Sequence, residues 1–110
     1  MKDSVLEREV FRLGFSPRQK GFYYLCSVVS ELMGKSGYIS AGEAYGIACR
    51  KTMDEPARVE RCIRYAIAYA WDVSKGSIRE LFPGSCTPPT PLELIRTVVW
   101  KLDEKNDERQ

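Results

Sequence analysis

The sequence predicts an all-α protein, a compact six-helix bundle containing a helix-turn-helix. Three observations carry that expectation. Ser/Thr-x-x-Glu pairs recur at Ser4–Glu7, Ser40–Glu43, Ser77–Glu80 and Thr90–Glu93. In such a capping box the hydroxyl accepts an orphan amide hydrogen and the carboxylate reaches back to the cap amide. Two further starts use other chemistry: Ser16-Pro17, with proline preset for a first helical turn, and Asp54 ahead of Glu55-Pro56. Between these starts the apolar residues recur at helical spacing, and no run alternates as a strand would.

The elements follow in order. The first helix is expected over Val5 to Leu13, stopping at Gly14. The second runs from Pro17 to Met33, with Phe22, Leu25, Cys26, Val29, Leu32 and Met33 on one side and Gly34 as the stop. The third covers roughly Ala41 to Lys51, the fourth Glu55 to about Val73, and a short fifth Ile78 to Phe82. Pro83 to Pro91 (PGSCTPPTP) is excluded from any helix, because proline removes donors and restricts its predecessor. The sixth, from Pro91 to about Glu104, places Leu92, Ile95, Val98, Val99 and Leu102 together, and the polar tail is expected to fray.

Bulk properties bound the function classes. A chain of 110 residues has room for one domain, with no internal repeat or linker. Its 44% apolar and 29% charged content is that of a folded domain. No apolar run approaches membrane-spanning length, and Lys2, Asp3 and Glu7 do not read as a leader, so a cytoplasmic location without membrane partner is expected. The four cysteines, Cys26, Cys49, Cys62 and Cys86, are far apart, and histidine is absent. Zinc needs paired ligand spacing, so reduced thiols and no metal or other cofactor are expected. With no histidine base for Cys26, no G-x-S-x-G and no phosphate loop, an enzyme with a small-molecule substrate is not expected.

Net charge is only +2, yet it is unevenly distributed. From Arg50 to Arg79 seven basic residues face four acidic ones, whereas from Lys101 to Gln110 the balance is acidic by one. Global charge is modest because it is partitioned along the chain, as expected if one face meets an anion.

The segment RVERCIRYAIAYAW, Arg58 to Trp71, is the most informative. At about 100° per residue Val59, Cys62, Ile63, Ala66, Ile67 and Ala70 fill one arc of a helix, and Arg58, Glu60, Arg61, Arg64, Tyr65 and Ala68 fill the other. Guanidinium forks on an outer face suit guanine edges and phosphate oxygens, which they meet bidentately. The bland reading is a solvated face in which Glu60 and Arg64 form an ordinary i,i+4 pair. The third helix, a break at about Thr52 to Asp54, and the fourth helix have the layout of a helix-turn-helix with its second helix in the major groove. Ala44, Ala48, Ala66 and Ala70 would let the two helices approach. Arg50 and Lys51, at the end of the preceding helix, are placed to touch phosphates, as is Lys75.

The segments LGFSPRQKGFYYL (13 to 25), RVERCIRYAIAYAW (58 to 71) and TPPTPLELIRTVVWKL (87 to 102) resemble the C-terminal effector domain of stage-zero sporulation protein A, the response regulator that commits endospore-forming bacteria to sporulation. The most specific parts are Lys20-Gly21-aromatic-x-Tyr24-Leu25 and Val59-Glu60-Arg61-x-Ile63-Arg64-x-Ala66-Ile67-x-x-Ala70-Trp71. The resemblance implies a six-helix domain and sequence-specific binding of double-stranded DNA through the helix of about residues 55–73. It implies base contacts from Glu60, Arg61 and Arg64, with Glu60 accepting from a cytosine amino group or orienting an arginine. Carried over in the same way, Arg58 meets phosphate; independently of the resemblance, Lys51, Arg50, Tyr65 and Lys75 are expected to contact the DNA backbone. The resemblance further implies a homodimer on tandem sites, with Trp100 at the dimer interface, and RNA polymerase as a partner. Val98 and Val99 are expected in the core.

The sequence departs from the family pattern in three places. No receiver domain lies within the 110 residues, the block from Gly34 to Glu55 matches poorly, and Tyr65 stands where the family commonly has histidine, with Asp54-Glu55 adding acidity nearby. The alternative reading is a helical protein-interaction module that modulates a full-length sporulation regulator. Its tyrosines (Tyr23, Tyr24, Tyr38, Tyr45, Tyr65 and Tyr69) would furnish the interface.

Overall fold

The computed structural model describes residues 3–33, 41–74 and 76–108. Among them are six helices and no strand: α1 (Asp3–Arg12), α2 (Lys20–Leu32), α3 (Ala41–Thr52), α4 (Pro56–Asp72), α5 (Ile78–Leu81) and α6 (Pro91–Glu108). α2 is central and packs against α1, α3, α4 and α6, while α4 packs against α2, α3, α5 and α6. The all-α, six-helix expectation holds.

The apolar stripes explain this arrangement. Leu25, Val28 and Val29 of α2, Val59, Ile63 and Ile67 of α4, and Leu94 and Ile95 of α6 are all essentially without solvent contact. Ala44, Ala48, Ala66 and Ala70 are likewise fully buried. On α6 the buried stripe centres on Leu94, Ile95, Val98 and Leu102, with Leu92 and Val99 only partly covered. Every buried side chain among the described residues is apolar, aromatic or cysteine, as a single core of this size requires.

Two close approaches depend on glycine. A Cβ on Gly21 would overlap the Cys62 carbonyl and come within 2.8 Å of the Ala66 Cβ, so α2 and α4 meet there nearly backbone to backbone. Gly14 has φ +115, and a Cβ there would lie against Ser74 and Gly76, where the α1–α2 and α4–α5 connections cross. The crossing is stitched by Ser77 N–H to Arg12 O at 3.3 Å and Ile78 N–H to Leu13 O at 3.2 Å.

Several helix starts differ from the sequence expectation. Thr90 and Glu93 do form a reciprocal box: Thr90 N–H donates to Glu93 Oε1 at 3.0 Å and Glu93 N–H to Thr90 Oγ1 at 3.2 Å. The Thr90 backbone N–H, and secondarily the Thr90 hydroxyl, hold the Glu93 carboxyl below its ordinary range. Ser77 does not cap α5, because its hydroxyl donates to Arg12 O at 3.1 Å across the loop crossing. Ser4 lies inside α1, which begins at Asp3. Ser40 lies outside the described residues. Pro17 does not open α2. Residues 17–19 form a turn, with Gln19 N–H on Ser16 O at 3.0 Å, and the helix begins at Lys20. At the other end, α6 extends to Glu108, beyond the expected end at about Glu104.

Candidate nucleic-acid interface

α3 and α4 are joined by residues 53–55. Met53, at φ 62, occupies the left-handed region and returns its N–H to Cys49 O at 2.8 Å, which ends α3 abruptly. Pro56 opens α4 with its φ already helical and no amide hydrogen to satisfy. Glu55, not Asp54, is the residue ahead of the helix, and it makes no side-chain cap.

Asp54 is occupied otherwise. Its carboxylate accepts a hydrogen bond from the Tyr24 hydroxyl of α2, thirty residues away, and lies 3.9 Å from the Arg58 guanidinium. Tyr24 is buried, and burial pushes its hydroxyl up to about 12, assisted by the hydrogen bond to Asp54 and that residue's charge, against a smaller pull from Arg58. Because Gly21 faces Ala66 while Tyr24 reaches Asp54, α2 runs antiparallel to α4 and braces the turn ahead of it.

This bond has a consequence that titration can check. A tyrosine pKa raised in the folded state adds stability that is complete below about pH 10 and is lost as pH rises through about 12. Tyr24→Phe should therefore cost about 1 kcal/mol near neutrality, the net worth of one buried hydrogen bond. The deficit should shrink and then reverse toward pH 12, where the wild-type phenolate would oppose Asp54. Urea midpoints at a series of pH values test this; a deficit independent of pH would show that folding does not raise the Tyr24 hydroxyl, and the absence of any deficit near neutrality would show that the bond contributes nothing.

Arg58, Arg61, Arg64, Tyr65 and Ala68 stand exposed along the outer side of α4, while Val59, Ile63, Ala66, Ile67, Ala70 and Trp71 are buried. The guanidinium groups are outside the bundle. Glu60 sits half-buried at the edge of this face and is ion-paired with Arg64, so its carboxylate holds that arginine. Tyr45 of α3 faces the same pair. Its hydroxyl is raised chiefly by burial and secondarily by the Glu60 charge, with Arg64 opposing. Among the described residues Arg61 makes no ion pair.

At the end of α3 both Arg50 and Lys51 are exposed, and Lys51 Nζ is 2.9 Å from Glu31 Oε1 of α2. Tyr65 is 64% exposed. Lys75 lies outside the described residues. Arg79, one of the seven basic residues of this stretch, is committed elsewhere. It stacks 4.7 Å from the Trp71 ring centre, donates from Nε to Trp71 O at 3.1 Å and lies 3.8 Å from Asp72. It thereby closes the carbonyl end of α4, where a cation complements the helix dipole.

Trp100 projects from α6 at 68% exposure, opposite the buried Val98 and Leu102, while Val99 is partly buried. The four cysteines are free thiols, Cys26 buried and Cys86 exposed. No described helix is long and apolar enough to cross a membrane.

Sequence reasoning missed Tyr24 and Glu31 as parts of this region. The i,i+4 spacing of Asp54 and Arg58 was visible, but nothing local connects either of them to α2.

The family model of the sporulation initiation factor Spo0A C terminal matches residues 6–102. The chain belongs to this family. It is a family of DNA-binding effector domains of transcription regulators in sporulation, and not an enzymatic one, so this chain is a DNA-binding domain and double-stranded DNA is its partner.

Proposed function

We propose that the domain reads duplex DNA by sequence, with α3, residues 53–55 and α4 acting as a helix-turn-helix and α4 lying in the major groove. The observation that carries this reading is the uncovered outer face of α4, where Arg58, Arg61, Arg64 and Tyr65 all reach solvent. Arg61 and Arg64 contact guanine edges. Glu60 orients Arg64, or accepts from a cytosine amino group. Arg58, Arg50, Lys51 and Tyr65 meet phosphates, which set register and orientation. Arg58 sits nearest the start of α4, where a phosphate is held by a guanidinium and the positive end of the helix together. The exposed indole of Trp100 serves a second copy bound to a neighbouring tandem site, since a large aromatic on an outer helix face gains most by being covered.

Selection of duplexes from a random pool, followed by salt titration of the winners, tests the proposal. A narrow set of sequences should emerge. The logarithm of the affinity should fall with the logarithm of salt concentration, by about 0.9 for each phosphate neutralised. Equal affinity for all duplexes would overturn sequence reading. Salt-independent binding would overturn the phosphate contacts.

A further inference from the structure

The exposed side of α4 is not cationic throughout. Ala57, Arg61, Arg64 and Ala68 succeed one another at helical spacing, and all four are exposed. An alanine therefore stands at each end of a stripe whose middle is two guanidinium groups. Ala57 lies in the first turn of α4, between Pro56 and Arg58, and that turn holds no acidic residue. Pro56 is exposed and apolar as well, so a small apolar surface precedes the arginines. Ala68 lies about 16 Å further along the axis. A helix-turn-helix brings the N-terminal part of its second helix nearest the base edges, so Ala57 is the alanine that meets them.

We propose that Ala57 is a specificity-determining residue that packs against the C5 methyl of a thymine, beside the guanine taken by Arg61. The inference rests on the DNA reading above. A one-carbon side chain offers no hydrogen bond and touches only what comes close to the backbone of α4. The apolar group that base edges present in the major groove is the thymine methyl, and alanine is among the side chains that match it. Cytosine carries no methyl at that place, so the contact separates the two pyrimidines. Ala57 and Arg61 are four residues apart, about 40° around the helix and about 6 Å along it. At about 3.4 Å per base pair, the thymine therefore stands within about two base pairs of the guanine. The arginine supplies a hydrogen-bonded contact at one position, and the alanine adds a methyl contact at a second.

Deoxyuridine in place of thymine removes only that methyl, and it is the probe. In the duplex selected by the wild-type chain each thymine is replaced in turn, and the affinity is compared with that for the unmodified duplex. One replacement, within about two base pairs of the position where Arg61→Ala relaxes base choice, should weaken wild-type binding about three- to five-fold, the worth of one buried methyl. In Ala57→Gly that ratio should fall to about one. Both duplexes are measured with the same variant, so any loss of helix stability cancels from the ratio. Ala68→Gly, which loosens α4 to the same extent at the far end of the stripe, should keep the wild-type ratio. The wild-type scan needs no variant: a selected duplex with no thymine at that distance, or a thymine there indifferent to loss of its methyl, would overturn the inference. A ratio that survives Ala57→Gly, or one lost equally in Ala68→Gly, would overturn it too. Equal affinity of the wild-type chain for all duplexes would instead sink the sequence reading, and this inference with it.

Discussion

Replacing Arg61 with alanine should weaken binding to the preferred duplex by about 1–3 kcal/mol, roughly five- to 150-fold, and relax base choice at one position. Arg61 is the arginine of the outer α4 face with no intramolecular ion pair among the described residues, so its guanidinium reaches a base without first abandoning a carboxylate. Being exposed, it contributes little to folding, and the variant's stability should stay within about 0.5 kcal/mol of wild type. Arg61→Lys should recover only part of the loss, because an ammonium cannot present the planar fork that matches two guanine acceptors. Arg64 behaves differently. Its removal leaves the half-buried Glu60 carboxylate unpaired beside the duplex, so Arg64→Ala should be partly relieved by also removing Glu60. Titration against the selected duplex and its single-base variants measures both. A folded Arg61→Ala chain with unchanged affinity and unchanged base preference would remove Arg61 from the reading.

The second large effect lies in the packing beneath that face. Gly21→Val should destabilise the domain by about 3 kcal/mol or more, the upper range for overpacking a filled interior. The added Cβ alone would overlap the Cys62 carbonyl and crowd the Ala66 Cβ, and both belong to α4. A carbonyl inside a helix cannot swing aside, so relief requires α2 and α4 to separate. That separation would uncover the apolar residues between them and strain the Tyr24–Asp54 bond at the other end of the contact. Even Gly21→Ala introduces the same Cβ, so it should be destabilising despite alanine's better helix propensity. Denaturant midpoints settle the matter: a midpoint at or above that of wild type would show that the helices tolerate the extra atom.

The two faces of α4 were legible in the residues alone, because 3.6-residue periodicity separates its aliphatic from its charged side chains with no help from the rest of the chain. The reciprocal Thr90–Glu93 cap was legible for the same reason: both partners lie within one turn. Where local pattern misled, a distant partner had competed for the same group. Ser77 has the spacing of a cap but gives its hydroxyl to Arg12, sixty-five residues away. Asp54 has the position of a cap but binds Tyr24 and Arg58. Arg79 counts as a free cation in the sequence and is spent on the Trp71 ring and carbonyl.

Helix number, the inward and outward sides of α4 and the chemistry offered outward are properties of short stretches, and periodicity with side-chain type was enough to determine them. Which cations remain available, which carboxylates restrain them and why Gly21 must be glycine depend on how α2 lies along α3 and α4. Such contacts join residues far apart in the chain, between groups with several local options of nearly equal energy, and only tertiary packing selects among those options.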